Sequence, residues 1–209
     1  MNADSLIFDM DGTLWDNVNS YVRAWNNGLE KTGHNVRVTR DDLLSLMGKE
    51  ARVMLNAVLP ESSESEQDNL FGAVIESYQN LLESMQPIIY PGVLEGLEKL
   101  SKKYKLFLLS NCEKDGLVNF MKYTKTAHLI TDYMEHGQNL QSKSHNMKLL
   151  TERNSLQSTV YVGDTASDSR ESGLAGVPFV FVTYGFGYTD EYALRFDSFT
   201  ELTDYFLSL

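Results

Sequence analysis

Two aspartates stand one residue apart in Asp9-Met10-Asp11, directly after the apolar run Leu6-Ile7-Phe8, and Gly12 and Thr13 follow. Carboxylates at i and i+2 just past a buried strand can project from one loop. The glycine lets the chain turn sharply, and the threonine adds a hydroxyl. This set suits a carboxylate nucleophile, an acid/base partner and a bound divalent cation. The competing reading is a strand that ends in a solvated acidic turn, since Asp and Gly are common turn residues. Three later segments favour chemistry. The apolar run 106–109 ends in Ser110 and Asn111. Lys143 stands in a polar loop ahead of a helix-like segment. The run 160–162 ends in Gly163, Asp164 and Thr165, and Asp168 follows. In an open parallel α/β sheet such strand ends share one edge, where ligands bind.

The elements that must carry these residues follow from periodicity. Residues 5–14 read as a first strand and its loop. From about Asp16 to Gln86 apolar residues recur at helical spacing: Val18, Tyr21, Val22, Trp25 and Leu29; Leu43, Leu44 and Met47; Met54, Leu55, Val58 and Leu59; Leu70, Val74, Tyr78, Leu81, Leu82 and Met85. The pattern predicts four helices and no strand. The polar connector 61–66 offers a serine at which a helix can start. Beyond Pro91-Gly92 the periods alternate. Helices are predicted over 93–103, 115–123, 145–153, 168–175 and 200–207, and strands over 105–109, 129–134, 159–162 and 178–182. That is an α/β fold with a parallel, Rossmann-like sheet. The expected core is 1–15 with 87–209, and 16–86 is an inserted α-helical domain.

The chain has 209 residues, 42% of them hydrophobic, enough for one core and a modest insert. Its formal net charge is −11. Nucleic acid and anionic membranes favour a basic face, so neither is an expected partner. An acidic surface also repels phosphate esters, so a site for them needs a local positive charge. Cys112 is the one cysteine, which rules out an intrachain disulfide. It reads as a small residue beside the site. No stretch reaches transmembrane length, and Asp4, Asp9 and Asp11 interrupt any signal-peptide pattern. A cytoplasmic protein is expected, a monomer or homodimer. His34, His128, His136 and His145 lack metal-ligand spacing.

Taken in order, the four segments resemble the four motifs of the haloacid dehalogenase-like (HAD) hydrolase superfamily. Two further stretches, 90–97 and 183–188, are similar to its phosphoglycolate phosphatase-like members. The resemblance implies that Asp9 is the nucleophile and forms an aspartyl-phosphate. Asp9 and Asp164 would give carboxylate oxygens to Mg²⁺, and Asp11 its backbone carbonyl, a hard-oxygen set. The Asp11 side chain would be the general acid/base, oriented by Thr13. Members that expel halide lack an aspartate there, so Asp11 favours phosphate esters. Ser110 would hydrogen-bond the transferring phosphoryl group. Asn111 would line the pocket or simply begin a turn.

Lys143 would neutralise phosphate and hold Asp9. Here the chain departs from relatives that carry proline after this lysine, and Lys148 competes, although it falls within a helical run and reads as a surface residue. Asp168 would serve the metal's outer shell, pair with Lys143, or cap a helix. Glu171, where relatives carry a small residue, reads as a local packing change. The insert would be a mobile cap that sets specificity. Within it Lys49 and Arg52 would meet a substrate anion or remain solvated. The implied function is a Mg²⁺-dependent phosphatase for a small phosphorylated metabolite, phosphoglycolate-like or a sugar phosphate. The alternatives are a phosphomutase of the same fold and a non-catalytic phospho-ligand-binding module.

Overall fold

The computed structural model describes residues 3–209, which divide into two compact units. One comprises the N-terminal segment through Trp15 together with Ile89–Leu209, the other Asp16–Ile88. The second crossing falls two residues later than 86/87. The short strands β2 (Trp15–Asp16) and β3 (Ile88–Ile89) pair with each other where the chain passes between units.

The first unit is built on a six-stranded parallel sheet. Its strands are β1 (Ser5–Phe8), β4 (Lys105–Ser110), β5 (Ile130–Glu135), β6 (Thr159–Gly163), β7 (Phe179–Val182) and β8 (Leu194–Phe196), in the order β5-β4-β1-β6-β7-β8. β1, β6 and β7 are buried along their whole length. Strands covered on both faces read as continuous apolar runs, which is why the sequence shows runs rather than alternation here. The chain leaves β1 for β4 and β5 on one side, then returns to β6 on the other. This reversal puts the carboxyl ends of β4, β1 and β6 side by side, at a topological switch point.

The helices of this unit are α5 (Val93–Leu100), α6 (Gly116–Thr124), α7 (His136–Asn139), α8 (Lys143–Arg153), α9 (Ala166–Ala175) and α10 (Phe199–Ser208). Ile7, Phe107, Leu109, Tyr161, Phe179 and Phe181 of the sheet pack with Met147 and Leu150 of α8. α5 stops at Leu100, short of 103. The shortest elements escaped the sequence reading, β8 and α7 among them. β8 has only three residues, and α7 is a single turn with no apolar repeat, closed by Leu140 in the left-handed region at φ 57.

The second unit holds four helices: α1 (Val18–Lys31), α2 (Arg40–Leu44), α3 (Ala51–Val58) and α4 (Glu64–Leu81). α1 buries Val18, Trp25 and Leu29, as its spacing requires. Capping boxes start two of the helices: Thr39 with Asp42 for α2, and Ser63 with Glu66 for α4. Arg40 pairs with Asp16, and Asn17 Nδ2 donates to Tyr78 Oη at 3.0 Å.

Candidate active site

The loop after β1 turns within five residues. The Leu14 N–H donates to the Met10 carbonyl at 2.9 Å, and the Gly12 N–H to the Trp15 carbonyl at 2.9 Å. Gly12 sits at φ 85, and a β-carbon there would overlap the Asp164 carboxylate. Only glycine satisfies both the conformation and the close approach. The turn leaves Asp9 buried at the carboxyl end of β1, at 4% exposure, and Asp11 half-buried. Asp11 Oδ1 accepts from Trp15 Nε1 at 2.9 Å.

Lys143 comes from α8. The sequence reading put it in a loop, whereas it is the first residue of the helix, with Ser142 as N-cap accepting from the His145 N–H. A cation at a helix N-terminus is disfavoured by the peptide dipole. Two anions outweigh that. Lys143 Nζ lies 2.7 Å from Asp168 Oδ1 and 3.1 Å from Asp9 Oδ1, and all three side chains are almost fully buried. Glu171 adds a further anion at this end of α8, accepting the Ser144 N–H at 3.0 Å. Its place in the sequence therefore reflects a helix cap rather than a packing change alone.

Asp168 is held from every side. Its Oδ1 also accepts from Tyr161 Oη at 3.2 Å, and its Oδ2 takes the Thr165 N–H at 3.0 Å and hydroxyl at 2.6 Å. The N-cap of α9 is Thr165, not Asp168, and Asp168, the third residue of the helix, completes its capping box. One carboxylate thus closes a helix and pairs with Lys143. The Lys143 ammonium also lies over the Tyr161 ring, 5.5 Å from its centroid.

Asp164 follows β6 and is fully buried. Its Oδ1 accepts from Thr13 Oγ1 at 3.2 Å, and its Oδ2 from the Phe186 N–H at 2.7 Å. Thr13 therefore contacts Asp164. Gly185 makes the second contact possible, because a β-carbon there would strike both Asp164 and the Gly12 carbonyl. Tyr184 Oη donates to the Thr13 carbonyl at 2.9 Å. Ser110 is buried at the end of β4, and Asn111 beside it is half-buried. In the second unit, Lys49 is exposed in the turn before α3, and Arg52 donates to Gln67 at 3.0 Å and Asp68 at 2.7 Å.

The electrostatics are unbalanced. Asp9, Asp164 and Asp168 each have a carboxylate oxygen within 4.8 Å of the others, and Lys143 is the ammonium paired with this cluster. Burial, opposed by Lys143 but reinforced by Asp168, pushes the Asp9 carboxyl up to about 7. Burial and then the charges of Asp168 and Asp9 raise Asp164 well above the usual carboxylate range. Asp168 lies below that range, because Lys143 and Thr165 outweigh its burial. Burial would lower Lys143, yet Asp168 and Asp9 hold it above its ordinary value.

These residues fit a hard divalent cation. Lys143 lies off the line that a hydrogen bond to Asp9 Oδ1 requires, so this buried oxygen has no aligned donor among the described residues. Asp168 is fully engaged with its own donors, which leaves Asp9 and Asp164 as the carboxylates available to a metal. Every potential donor here is oxygen, the preference of Mg²⁺.

Three contributors escaped the sequence reading, Tyr161, Tyr184 and Phe186, and Glu171 was read there only as a packing change. Tyr161 was visible only as one aromatic in an apolar strand. Glu171 lies three residues past Asp168, a helical spacing that puts both on one side of α9. Phe186 acts through its backbone N–H and leaves no mark of residue type.

The family model for haloacid dehalogenase-like hydrolases matches residues 6–182. The chain belongs to that family. Among curated proteins, it is 26% identical to a phosphoglycolate phosphatase of Rhodobacter capsulatus, over 96% of this chain and 95% of that one. It is 30% identical to a phosphoglycolate phosphatase of Agrobacterium fabrum, over 88% of this chain and 81% of that one. Solved structures share the fold. A haloacid dehalogenase-like hydrolase from Bacteroides fragilis superposes with TM-score 0.85 at 18% identity, covering 96% of this chain and all (100%) of that one. A protein described as a predicted phosphoglycolate phosphatase from Haemophilus somnus gives TM-score 0.85 at 22% identity, covering 98% of each chain. The chain is a HAD-type phosphoric monoester hydrolase, phosphoglycolate phosphatase-like in sequence. No helix among the described residues is long and apolar enough to cross a membrane.

Proposed function

We propose that this enzyme is a Mg²⁺-dependent phosphatase that hydrolyses a small phosphorylated metabolite, phosphoglycolate-like or a sugar phosphate, through an aspartyl-phosphate on Asp9. The observation that carries this reading is the buried Asp9–Lys143–Asp168 chain next to Asp164, with more carboxylate than ammonium charge and an Asp9 oxygen lacking an aligned donor. Such a cluster is stable at neutral pH when a cation completes it.

The carboxylates of Asp9 and Asp164 and the backbone carbonyl of Asp11 would hold the metal. When bound, Mg²⁺ neutralises charge on the transferring phosphoryl group and its attacking oxygen. Asp9 attacks phosphorus in line with the leaving oxygen, and the P–O bond to the substrate alkoxide breaks. Asp11 gives that alkoxide its proton. Later it takes a proton from water, which attacks the acyl-phosphate and releases inorganic phosphate. The Trp15 indole, donating to Asp11 Oδ1, holds the carboxyl in one orientation. Lys143 keeps Asp9 in place and offsets phosphate charge, while Asp168, Tyr161 and Thr165 keep Lys143 in place. Ser110 hydrogen-bonds a phosphoryl oxygen and Asn111 lines the same pocket.

Lys49 and Arg52 are proposed to select an anionic group on the substrate. Arg52 is already engaged by Gln67 and Asp68, which makes Lys49 the more available of the two. A panel of phosphorylated metabolites, assayed for phosphate release with Mg²⁺ and with chelator, tests the reading. Turnover of a carboxylate-bearing or sugar phosphate that chelator abolishes is expected. Activity that survives chelation contradicts it.

A further inference from the structure

Glu135 ends β5, in register with Ser110 of β4, and is 1% exposed. A carboxylate at that depth must be partnered. Its partners come from the segment just past Ser110. Oε1 accepts the Asp115 N–H at 2.6 Å, and Oε2 accepts the Leu117 N–H at 2.9 Å and the Cys112 thiol at 3.7 Å. A side chain that only capped α6 would need Leu117 alone; this one also gathers the loop ahead of the helix. The Gly137 N–H, two residues on, donates to the Cys112 carbonyl at 3.1 Å. Asp115 is pinned at φ 70, a conformation that a residue with a β-carbon adopts only when its surroundings impose it.

The loop so gathered acts on Ser110. The Cys112 N–H donates to Ser110 Oγ at 3.2 Å. With one lone pair of Oγ taken from inside the loop, the hydroxyl hydrogen is left to point elsewhere. Burial, followed by the charge of Glu135, pushes the Cys112 thiol up, so it stays protonated and donates.

We infer that Glu135 is a positioning residue for phosphoryl binding: by clasping Cys112, Asp115 and Leu117 it shapes the 111–117 loop and orients the Ser110 hydroxyl toward a phosphoryl oxygen. The inference rests on the phosphatase reading. It requires an acceptor at both oxygens, so Glu135→Gln, which is isosteric but turns an NH₂ toward backbone N–H groups, should open the loop.

Calorimetry with Mg²⁺, and with orthovanadate in the presence of Mg²⁺, tests this directly. Glu135→Gln should bind Mg²⁺ within about twofold of the parent but orthovanadate about tenfold or more weakly, the scale of a lost charge-assisted contact. Loss of both affinities together would mean a structural role only, and loss of neither would overturn the assignment. If the variant does not fold, amide exchange in the parent decides. Orthovanadate should slow exchange across 112–117, and unchanged exchange overturns the inference. A parent that binds no orthovanadate sinks the phosphatase reading itself, and this assignment with it.

Discussion

At the scale of single residues, the site trades stability for reactivity. Asp9 is the clearest case. Its folded-state carboxyl is raised from 3.8 to about 7 by burial and by Asp168, against the pull of Lys143. A group raised in this way favours the fold fully below its unfolded value, and that contribution is lost as pH climbs through the folded value. The metal-free enzyme should therefore lose thermal stability between about pH 4 and 7. Asp9→Asn removes the penalty. In chelator at pH 8 the variant should melt above the parent, and near pH 4 the two should converge, while with Mg²⁺ the variant should show no turnover. Melting curves in chelator at the two pH values check this, and a variant less stable than the parent at pH 8 counts against it.

Asp11 belongs to the same scale but acts differently. Its indole partner gives it orientation, and its proposed task is proton transfer, which contributes roughly 10²–10⁴-fold in enzymes. Asp11→Asn should lose activity on that order with alkyl phosphates. An aryl phosphate leaves with little protonation, so formation of its phosphoenzyme should suffer less. Equal losses for both ester types would undermine the assignment.

Among the elements, helix starts do more than begin helices. The Thr165–Asp168 capping box both opens α9 and restrains the carboxylate that holds Lys143. Replacing an N-cap threonine by alanine typically costs about 1 kcal/mol. Thr165→Ala should cost at least that in chemical denaturation and also reduce kcat, because Asp168 Oδ2 loses its hydroxyl donor. Thr165→Ser should restore most of both. A variant that loses stability but keeps full kcat would show that the cap does not reach the chemistry.

What the sequence made legible divides along the same line. Wherever a strand is buried on both faces, its apolar run and polar terminus were readable, so β1, β4, β6 and β7 and the aspartates at their ends were found with bounds close to those observed. Elements too short to show a period, β8 and α7, were not. The Asp9, Asp164 and Asp168 positions followed from motif spacing. Lys143 was expected beside Asp9 and Asp168, but the other partners that hold them were not legible, since Phe186 uses its backbone and Tyr161 acts across the fold, where spacing along the chain carries no information. Thr13 illustrates the limit: its place in the loop was evident, but its contact with Asp164 depends on β1 and β6 being neighbours.

For the whole molecule, a chain of net charge −11 places the buried Lys143 at the proposed phosphate site. Selection among anionic substrates then needs further cations, and Lys49 is the proposed one. Lys49→Ala should raise KM for metabolites bearing a second anionic group, with a loss of roughly 10- to 150-fold in kcat/KM if the contact is worth about 1.5–3 kcal/mol. p-Nitrophenyl phosphate, which lacks that group, should be hydrolysed nearly as before. An unchanged substrate ranking would remove Lys49 from the account.

The central claim is that Asp9 carries the phosphoryl group. The most direct measurement is to quench the enzyme in acid during turnover of a ³²P-labelled ester with Mg²⁺, digest it, and locate the label by peptide mass and by its lability to hydroxylamine. The account predicts a hydroxylamine-labile phosphoryl group on the peptide containing Asp9, present in the parent and absent in Asp9→Asn. Sustained turnover with no label on Asp9, or label on another residue, would contradict it.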